Sequence, residues 1–442
     1  WLFAKNNKGK FLLRIEDTDI KRSNELTTQN ILSDLKWLNI NWDEDIVYQK
    51  QNIENHLNII NTLLLTGYAY HCYCTEEEIN SLKSDKKTGN LNAFRSPWRN
   101  QTETKIDKDK SVIRFKVPQK IDLSFNDKIR GNLSWKLNDI EDFIIARTNK
   151  TPTYNLAVVA DDHEMKISHV IRGEDHLTNT IKQILLYQSL EWNKPDFAHI
   201  PLIQNQLGQK LSKRDGNNNL HDFKREGILP VAMLNYLARL GWSYKDEEFF
   251  TEKQAVSWFS LKGVGKSPSK FDQKKLLNIC GKHIKNMNFD ELFEKFFLFL
   301  EKEKKLKVND KKSEQLKLLI SLLKNRCHSL GELFENSKFL LYRSNNSIFE
   351  DFKDVISKET ISIMVDFMQS LAKDNFCWKS DYIESFIKTF CESNKLSFSQ
   401  VGIPLRIFIT GSPKSASIVD ILEIIGKKEA VDRINTLLQS YK

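Results

Sequence analysis

The hydrophobic pattern of the chain changes character near residue 286, about two thirds of the way along its 442 residues. Upstream, short apolar runs that suit buried strands alternate with segments of helical period, which is typical of an α/β layer with parallel strand pairing. Downstream, strand signals nearly vanish, and helical period recurs at 289–300, 316–323, 361–371, 383–390 and 418–425. The chain is therefore predicted to fold as an α/β part followed by an all-helical part.

Composition narrows the setting in which such a fold would work. Hydrophobic residues make up 40% of the chain, which excludes a largely disordered protein, and the length allows about two to four domains. The formal net charge of +9 favours a polyanionic partner. No run of about 18 apolar residues occurs, so no membrane span is predicted. Six cysteines, scattered apart from Cys72 and Cys74, suit a reducing cytoplasm.

Within the α/β part, strands are predicted where short apolar or alternating runs follow turn residues. The predicted strands are 11–15, 112–117, 143–147, 155–160 and 169–171, with a hairpin and its glycine turn at 129–135. Helical spacing of apolar residues predicts helices at 31–38, 53–65 and 231–240. The segment 71–140, which opens polar and Lys-rich, is predicted to be a mixed insertion into the sheet domain.

Charged residues follow two of the predicted strands. Glu16 and Asp17 come directly after 11–15, and Arg172 follows 169–171. Ligands bind at the carboxyl ends of parallel strands, so these side chains are candidates for a site. Structural alternatives are open: Glu16 and Asp17 could cap the next helix, and Arg172 could form an ion pair with Glu174 or Asp175.

A basic loop, residues 210–216, reads Lys-Leu-Ser-Lys-Arg-Asp-Gly and follows the apolar segment 200–203 and a polar turn. Lysine is a compact charge on a flexible stem, so it can follow negative charge as that charge develops on a phosphate. The alternative for the loop alone is a solvated basic turn.

Three stretches together carry a family resemblance: Leu-Arg-Ile-Glu-Asp-Thr-Asp at 13–19, Ile-Arg-Gly-Glu-Asp-His at 171–176, and Lys-Leu-Ser-Lys-Arg at 210–214. Their order and sequence resemble the bacterial-type glutamyl-tRNA synthetases, which are class I enzymes. The resemblance implies a Rossmann-type α/β catalytic domain with an inserted mixed domain, followed by an all-helical anticodon-binding region. The implied divisions are a catalytic domain of 1–70 and 141–205, an inserted acceptor-end-binding domain of 71–140, a stem-contact region of 206–285 and a helical region of 286–442.

The resemblance also implies the reaction. Glutamate and ATP, with Mg²⁺, would form glutamyl-adenylate, and the glutamyl group would pass to the 3′-terminal adenosine of tRNA(Glu). Whether tRNA(Gln) is also a substrate is left open. The implied protein is a cytoplasmic monomer without membrane association. The alternative is a tRNA-binding remnant without catalysis.

Residue roles follow from the matched motifs. Lys210 and Lys213 are the implied catalytic residues, because they can neutralise charge on the departing pyrophosphate. The implied ATP-binding residues are Lys210, Leu211, Ser212, Lys213, Arg214 and Asp175.

The amino-acid pocket needs charge of both signs, and the implied glutamate-binding residues are Glu16, Tyr154 and Arg172. Glu16 would face the α-ammonium, and Arg172 would grip the side-chain carboxylate bidentately. Tyr154 could instead serve packing alone. His176 and Arg326 are expected to contact tRNA; their alternatives are a solvated first helical turn and a solvated helix end.

The chain also departs from the family pattern. It opens at Trp1 without the first strand and the histidine motif, so we expect an N-terminally truncated sequence that would activate glutamate poorly as given. Zinc is expected to be absent, because Cys72 and Cys74 supply only two thiolates. The Gly-Val-Gly-Lys-Ser stretch at 263–267 lacks the first glycine and the preceding strand of a phosphate loop, and is predicted to be a connecting loop.

Overall fold

The computed structural model describes residues 1–18, 25–83, 93–101, 110–211, 219–342, 348–373 and 377–441. The chain forms two compact units: the first is Trp1–Asp215 with Leu234–Asp272, and the second is Gly216–Met233 with Gln273–Lys442. No helix in these described stretches is long and apolar enough to span a bilayer. The four domain boundaries expected from the sequence stay a prediction.

The strands of the first unit form small sheets. Three pairs are parallel: β1–β2, β8–β9 and β10–β11. Strands β3, β4 and β7 form an antiparallel sheet, and β5 and β6 form a hairpin. The strands are β1 (Arg14–Ile15), β2 (Val47–Tyr48), β3 (Ala69–Cys72), β4 (Val112–Phe115), β5 (Ser124–Asp127), β6 (Gly131–Ser134), β7 (Ile144–Ala146), β8 (His169–Gly173), β9 (Asp196–Ile200), β10 (Ile203–Gln204) and β11 (Ser269–Lys270).

Helices of the first unit pack against these sheets. They are α1 (Leu2–Asn6), α2 (Glu25–Trp37), α3 (Ile53–Leu65), α4 (Glu76–Lys83), α5 (Tyr154–Glu164), α6 (Leu177–Ser189), α8 (Pro230–Gly241), of which residues from Leu234 onward belong here, and α9 (Glu252–Trp258). A core cluster of the first unit joins α3, α5 and α6 to β4 and β7, with Leu63, Phe115 and Ile145 fully buried. Burial of such side chains contributes roughly 1.5–3 kcal/mol each.

The strand predicted at 155–160 is wrong, because this segment lies inside α5. The seven residues of α5 from Leu156 to Asp162 are all buried, so the helix is covered around most of its circumference. A short apolar run of that kind fits a buried helix as well as a buried strand, and periodicity alone does not separate the two.

Most other elements of the α/β part were predicted correctly. The helix predicted at 53–65 is α3, and the strand predicted at 169–171 lies within β8. The glycine hairpin is confirmed with Gly131 at φ +84°, although its first strand, β5, lies upstream of the predicted 129–135. The stretch 263–267 is a connecting loop, as predicted, because it follows α9 and a 3-10 helix rather than a strand.

The described elements of the second unit are all helices, as predicted for the C-terminal part. Its helices, beyond the first residues of α8, are α7 (Leu220–Arg225), α10 (Gln273–Asn286), α11 (Phe289–Lys302), α12 (Asp310–Leu323), α13 (Leu330–Leu341), α14 (Ile348–Asp351), α15 (Lys358–Lys373), α16 (Ser380–Ser393), α17 (Phe398–Thr410), α18 (Ile418–Ile425) and α19 (Lys427–Ser440). Side-chain caps from Asn288, Asn309 and Ser329 accept backbone N–H groups at the starts of α11, α12 and α13.

Two glycines let backbone segments of the second unit approach each other. Gly227 has φ +77°, and its carbonyl accepts the N–H of Leu330 at 2.9 Å. A Cβ on Gly227 would lie 2.2 Å from the nitrogen of Gly331, and a Cβ on Gly331 would lie 2.3 Å from the carbonyl oxygen of Glu226. Both positions therefore require glycine, one for conformation and both for space.

Candidate active site

Arg172 is the centre of the charged residues at the carboxyl end of β8. This strand pairs in parallel with β9, and Arg172 lies directly opposite His199 in the ladder. Its Nε donates to His199 Nε2 at 3.3 Å, and its Nη2 donates to Thr180 Oγ1 at 2.6 Å and to Gln183 Oε1 at 2.8 Å. Three of its five N–H bonds are thus committed to neighbouring side chains.

The remaining nitrogen of that guanidinium, Nη1, is 3.5 Å from the Tyr154 hydroxyl. Burial lowers the pKa of Arg172, while the neighbouring Tyr154, Asp162 and Glu16 act against this. The ordinary pKa of arginine is so far above neutral pH that the group stays charged. Burial also raises the pKa of Tyr154, so its hydroxyl is neutral and can donate to a ligand.

Glu16 follows β1 and supplies the negative charge near this arginine. Its Oε1 accepts from Arg14 Nη2 at 3.2 Å, and its side chain remains 42% exposed, so a ligand can reach it. Arg14 also donates to Asp162 Oδ1 at 2.8 Å, and burial raises the pKa of that carboxyl even though Arg14 opposes the shift. Arg14 therefore holds Glu16 and Asp162 on the same side of the site.

Among the described residues, Asp17 contacts the segment that follows β2. Its carboxylate accepts the backbone N–H of Lys50 at 2.9 Å, just after β2. The neighbouring Thr18 hydroxyl donates to Gln49 at 3.2 Å. Asp17 thus connects the end of β1 to the end of β2, whereas Glu16 contacts Arg14.

The acidic residues after β8 do not pair with Arg172, so that structural alternative is wrong. Glu174 forms an ion pair with Arg130, and it accepts the N–H of Leu202 at 3.1 Å. Asp175 forms its ion pair with Lys210, at 2.7 Å, and this contact lowers the pKa of Asp175.

His176 is half-buried at the end of the 3-10 helix Glu174–His176, immediately before α6. Its Nδ1 is 3.3 Å from the Tyr154 hydroxyl and 3.3 Å from Asn179 Nδ2. The residue predicted to contact tRNA therefore also borders the predicted glutamate pocket.

The start of the basic loop is described and its centre is not. Lys210 bridges to Gln204 of β10, and Leu211 donates its N–H to Ile203 at 2.9 Å. The Lys210 side chain is 60% exposed. Ser212, Lys213 and Arg214 lie outside the described residues. Arg326 is exposed in the turn between α12 and α13, in the second unit.

The thiols of Cys72 and Cys74 both lie close to the hydroxyl of Ser96. Cys72 Sγ lies 3.3 Å and Cys74 Sγ 3.4 Å from Ser96 Oγ. The described residues contain no group of three or more His, Cys, Asp or Glu side chains arranged to hold a metal ion.

Sequence reasoning missed Arg14, Asp127, Asp162, Thr180 and His199. A signal existed for two of them. His199 is a polar residue inside the apolar strand Asp-Phe-Ala-His-Ile at 196–200, and Asp162 closes an apolar run. Buried polar groups need partners, so such interruptions mark hydrogen-bonded positions.

Two family models cover nearly the whole chain. Residues 1–278 match the catalytic domain of class I tRNA synthetases (E and Q), and residues 288–438 match an anticodon binding domain. The fold and the charged site thus define a class I tRNA synthetase of the E and Q group.

Similar sequences and a similar solved structure identify the family within this class. The chain is 39% identical to the glutamate–tRNA ligase 2 of Ehrlichia chaffeensis over 98% of this chain and 92% of the relative. It is 39% identical to the glutamate–tRNA ligase of Pelagibacter ubique over 98% of this chain and 93% of that relative. A crystal structure of a glutamate tRNA ligase from Elizabethkingia meningosepticum, in complex with its amino acid, superposes with a TM-score of 0.80 at 29% identity, covering 100% and 95% of the two chains. The chain belongs to the glutamate–tRNA ligase family.

Proposed function

We propose that this protein activates glutamate with ATP to glutamyl-adenylate and transfers the glutamyl group to the 3′-terminal adenosine of tRNA(Glu). The observation that carries the proposal is the contact of Arg172 with Tyr154 at the carboxyl end of β8, together with the exposed Glu16 that follows β1 and that Arg14 links to Asp162. A site with one exposed carboxylate and one half-buried guanidinium suits an amino acid that carries an ammonium and an acidic side chain.

Glutamate would lie between these two charges. Glu16 would accept the α-ammonium, and Tyr154 would line the pocket. The side-chain carboxylate would meet Arg172 through Nη1, because Nε and Nη2 already donate to His199, Thr180 and Gln183. This geometry favours a contact through the single nitrogen Nη1 over the bidentate grip that the sequence suggested.

The ATP phosphates would lie toward Lys210. Its ion pair with Asp175 holds the Lys210 side chain in a defined position before ATP binds. When ATP binds, the ammonium group can leave this carboxylate and pair with a phosphate. Lys213, the other proposed catalytic residue, would add charge on the departing pyrophosphate, with Leu211, Ser212 and Arg214 completing the ATP-binding loop. Mg²⁺ is usually held by phosphates, waters and one or two carboxylates. The partly exposed Asp175 could supply such a carboxylate. A bound Mg²⁺ neutralises phosphate charge.

Binding of tRNA would use both units. His176 borders the proposed glutamate pocket, where the acceptor end must arrive for transfer, and Arg326 is an exposed arginine in the helical unit that could contact an unpaired base. Charging of tRNA(Gln) as well is an open part of the proposal. The matches to glutamate–tRNA ligases over 98% of the chain do not support a tRNA-binding remnant without catalysis. We also propose that the protein works as a monomer in the cytoplasm, a setting suited to its scattered cysteines.

ATP–pyrophosphate exchange with glutamate, in the presence of tRNA(Glu), tests the proposal on the native full-length protein. We expect exchange with glutamate, little with glutamine, and charging of tRNA(Glu) by the same preparation. Absence of exchange with glutamate, or equal exchange with both amino acids, would overturn it. Charging assays with purified tRNA(Gln) decide the second acceptor, and sedimentation equilibrium decides the oligomeric state.

A further inference from the structure

A buried series of hydrogen bonds, here called the Asp127 relay, leads from the β5–β6 hairpin to Arg172. The Asp127 carboxylate contacts His199 Nδ1 at 2.7 Å, and His199 Nε2 contacts Thr180 Oγ1 at 2.8 Å. Arg172 then donates to both His199 and Thr180. Asp127, Thr180 and His199 are buried, so solvent does not compete for these bonds.

The chemistry of the donors determines the tautomer of His199. An arginine can only donate, so the Nε2 that receives Arg172 Nε must carry a lone pair. A neutral imidazole with a bare Nε2 has its proton on Nδ1, and this proton points at the Asp127 carboxylate. His199 is therefore a donor toward Asp127 and an acceptor toward Arg172.

Asp127 is held as an acceptor on all sides. Its Oδ1 receives the backbone N–H groups of Ile129 at 2.9 Å and Arg130 at 2.8 Å, and its carboxylate also receives that of His199 at 3.1 Å. Burial alone would raise the pKa of Asp127, but the bonds from His199, Arg130 and Ile129 outweigh burial and lower it. The carboxylate stays ionised and keeps the His199 proton on Nδ1.

Thr180 and Gln183 complete the arrangement on the other side of the guanidinium. Thr180 can donate its single hydroxyl proton to His199 at 2.8 Å, a shorter contact than the one at 3.2 Å to the carbonyl oxygen of His176, and it accepts from Arg172 Nη2 at 2.6 Å. Gln183 accepts from the same Nη2, and its amide is oriented because its nitrogen donates to Asn155 at 3.2 Å. Nε and Nη2 of Arg172 thus face acceptors whose direction cannot be reversed.

We propose that Asp127, His199 and Thr180 are positioning residues that direct Nη1 of Arg172 at the substrate side chain, and thereby set the preference for glutamate over glutamine. With Nε and Nη2 committed, Nη1 carries the remaining N–H donors, and its contact with the Tyr154 hydroxyl is long, at 3.5 Å. A carboxylate can accept from Nη1 with either oxygen, whereas an amide that turns its NH₂ toward Nη1 leaves a donor facing a donor. This inference rests on the proposed function.

A matched pair of substitutions at Thr180 tests the relay. Thr180→Val removes the hydroxyl at nearly constant volume, and Thr180→Ser keeps it. In glutamate-dependent ATP–pyrophosphate exchange, Thr180→Val should raise the KM for glutamate and lower the glutamate-over-glutamine ratio of kcat/KM by roughly 10- to 100-fold, since a small misplacement costs about that much. Thr180→Ser should stay within about threefold of wild type, and the KM for ATP should be unchanged in both. Equal behaviour of the Val and Ser variants would refute the proposal.

A double-mutant cycle separates positioning from mere structural damage. If Thr180 acts through the guanidinium, Thr180→Val should add little to the loss of glutamate exchange caused by Arg172→Ala. Independent, multiplying losses would show that Thr180 acts by another route and would overturn the inference.

Asp127→Asn extends the test to the far end of the relay. The new amide can donate to Nδ1, which favours the opposite tautomer, with an Nε2 proton facing Arg172. Selectivity for glutamate should fall as in Thr180→Val. The control is Asp142→Asn, because Asp142 is also fully buried and accepts the N–H of Val117 at 3.0 Å, but pairs with Arg99 away from the site.

Asp142→Asn should lower the melting temperature and leave the glutamate-over-glutamine ratio at the wild-type value. If Asp127→Asn also leaves this ratio unchanged, or if both substitutions change it equally, the relay does not control selectivity. If the wild-type protein itself shows no glutamate-dependent ATP–pyrophosphate exchange, the proposed function is refuted instead.

Discussion

His283 makes the stability of the helical unit depend on pH in a predictable direction. The side chain lies on the inner face of α10, is only 6% exposed, and burial lowers the pKa of its imidazole from 6.5 to about 4. The folded unit therefore resists protonation, while the unfolded chain binds a proton below pH 6.5. This stabilising contribution is present above pH 6.5 and is lost as pH falls toward about 4.

The size of the effect follows from the two pKa values. At pH 5 the unfolded histidine is almost fully protonated and the folded one about one tenth protonated. Linkage then gives a loss of about 2 kcal/mol in the free energy of unfolding between pH 7.5 and pH 5. Nearly all of that loss falls below pH 7, because the unfolded group is largely neutral above it.

The local free energy of unfolding at α10 can be measured by amide hydrogen exchange of peptides from this helix across a urea series. The exchange rates must be corrected for the intrinsic effect of pH. The comparison is wild type against His283→Leu, which cannot titrate. Other groups that titrate between pH 7.5 and 5 affect both proteins equally, so the wild type should lose about 2 kcal/mol more than the variant. Parallel pH profiles for the two proteins would refute a depressed pKa at His283.

Three further predictions concern other described residues. Gly227→Ala should destabilise the second unit by at least about 1–3 kcal/mol, because φ is +77° and the new Cβ would meet the nitrogen of Gly331 at 2.2 Å; an unchanged urea midpoint at α13 peptides would contradict this. Glu16→Gln should raise the KM for glutamate by about tenfold or more, since an amide no longer offers charge to the α-ammonium, and an equal rise in the KM for ATP would argue against that role. Lys210→Ala should slow glutamyl-adenylate formation by about 10²-fold in single-turnover assays, with tRNA affinity by filter binding within about twofold of wild type; a large fall in tRNA affinity alone would assign the lysine to tRNA instead.

The outline of the fold and the charged strand ends could be predicted from sequence because both depend on local signals. Glu16 follows β1, Arg172 lies near the carboxyl end of β8, and the described elements of the C-terminal part are all helices. The segment 155–160 was mistaken for a strand because the five consecutive apolar residues after Asn155 carry no period. Only the packing of α5 against α3 and α6 on several sides makes that run a helix.

The hydrogen-bond partners in the site could not be predicted in this way. Asp127, Thr180 and His199 are far apart in the chain and meet only because β5 and α6 lie beside β9. The sequence offered Glu174 and Asp175 as partners for Arg172 because they are close in number. In the folded unit those two carboxylates pair with Arg130 and Lys210 instead.

The β5–β6 hairpin belongs to the segment 71–140, which the sequence predicts to be an inserted domain, yet it is not an independent module. Asp127 from this hairpin reaches the buried interior beside β9, and Arg130 donates from the same turn to the carbonyl oxygen of His199 and to Glu174. An exchange of this segment between related synthetases would therefore also exchange the carboxylate that contacts His199 beside the proposed glutamate pocket. Chimeras joined at the borders of this segment should take their substrate preference from the protein that supplies the hairpin. Recombination at those borders is constrained because the residue at position 127 must still form its hydrogen bond with His199.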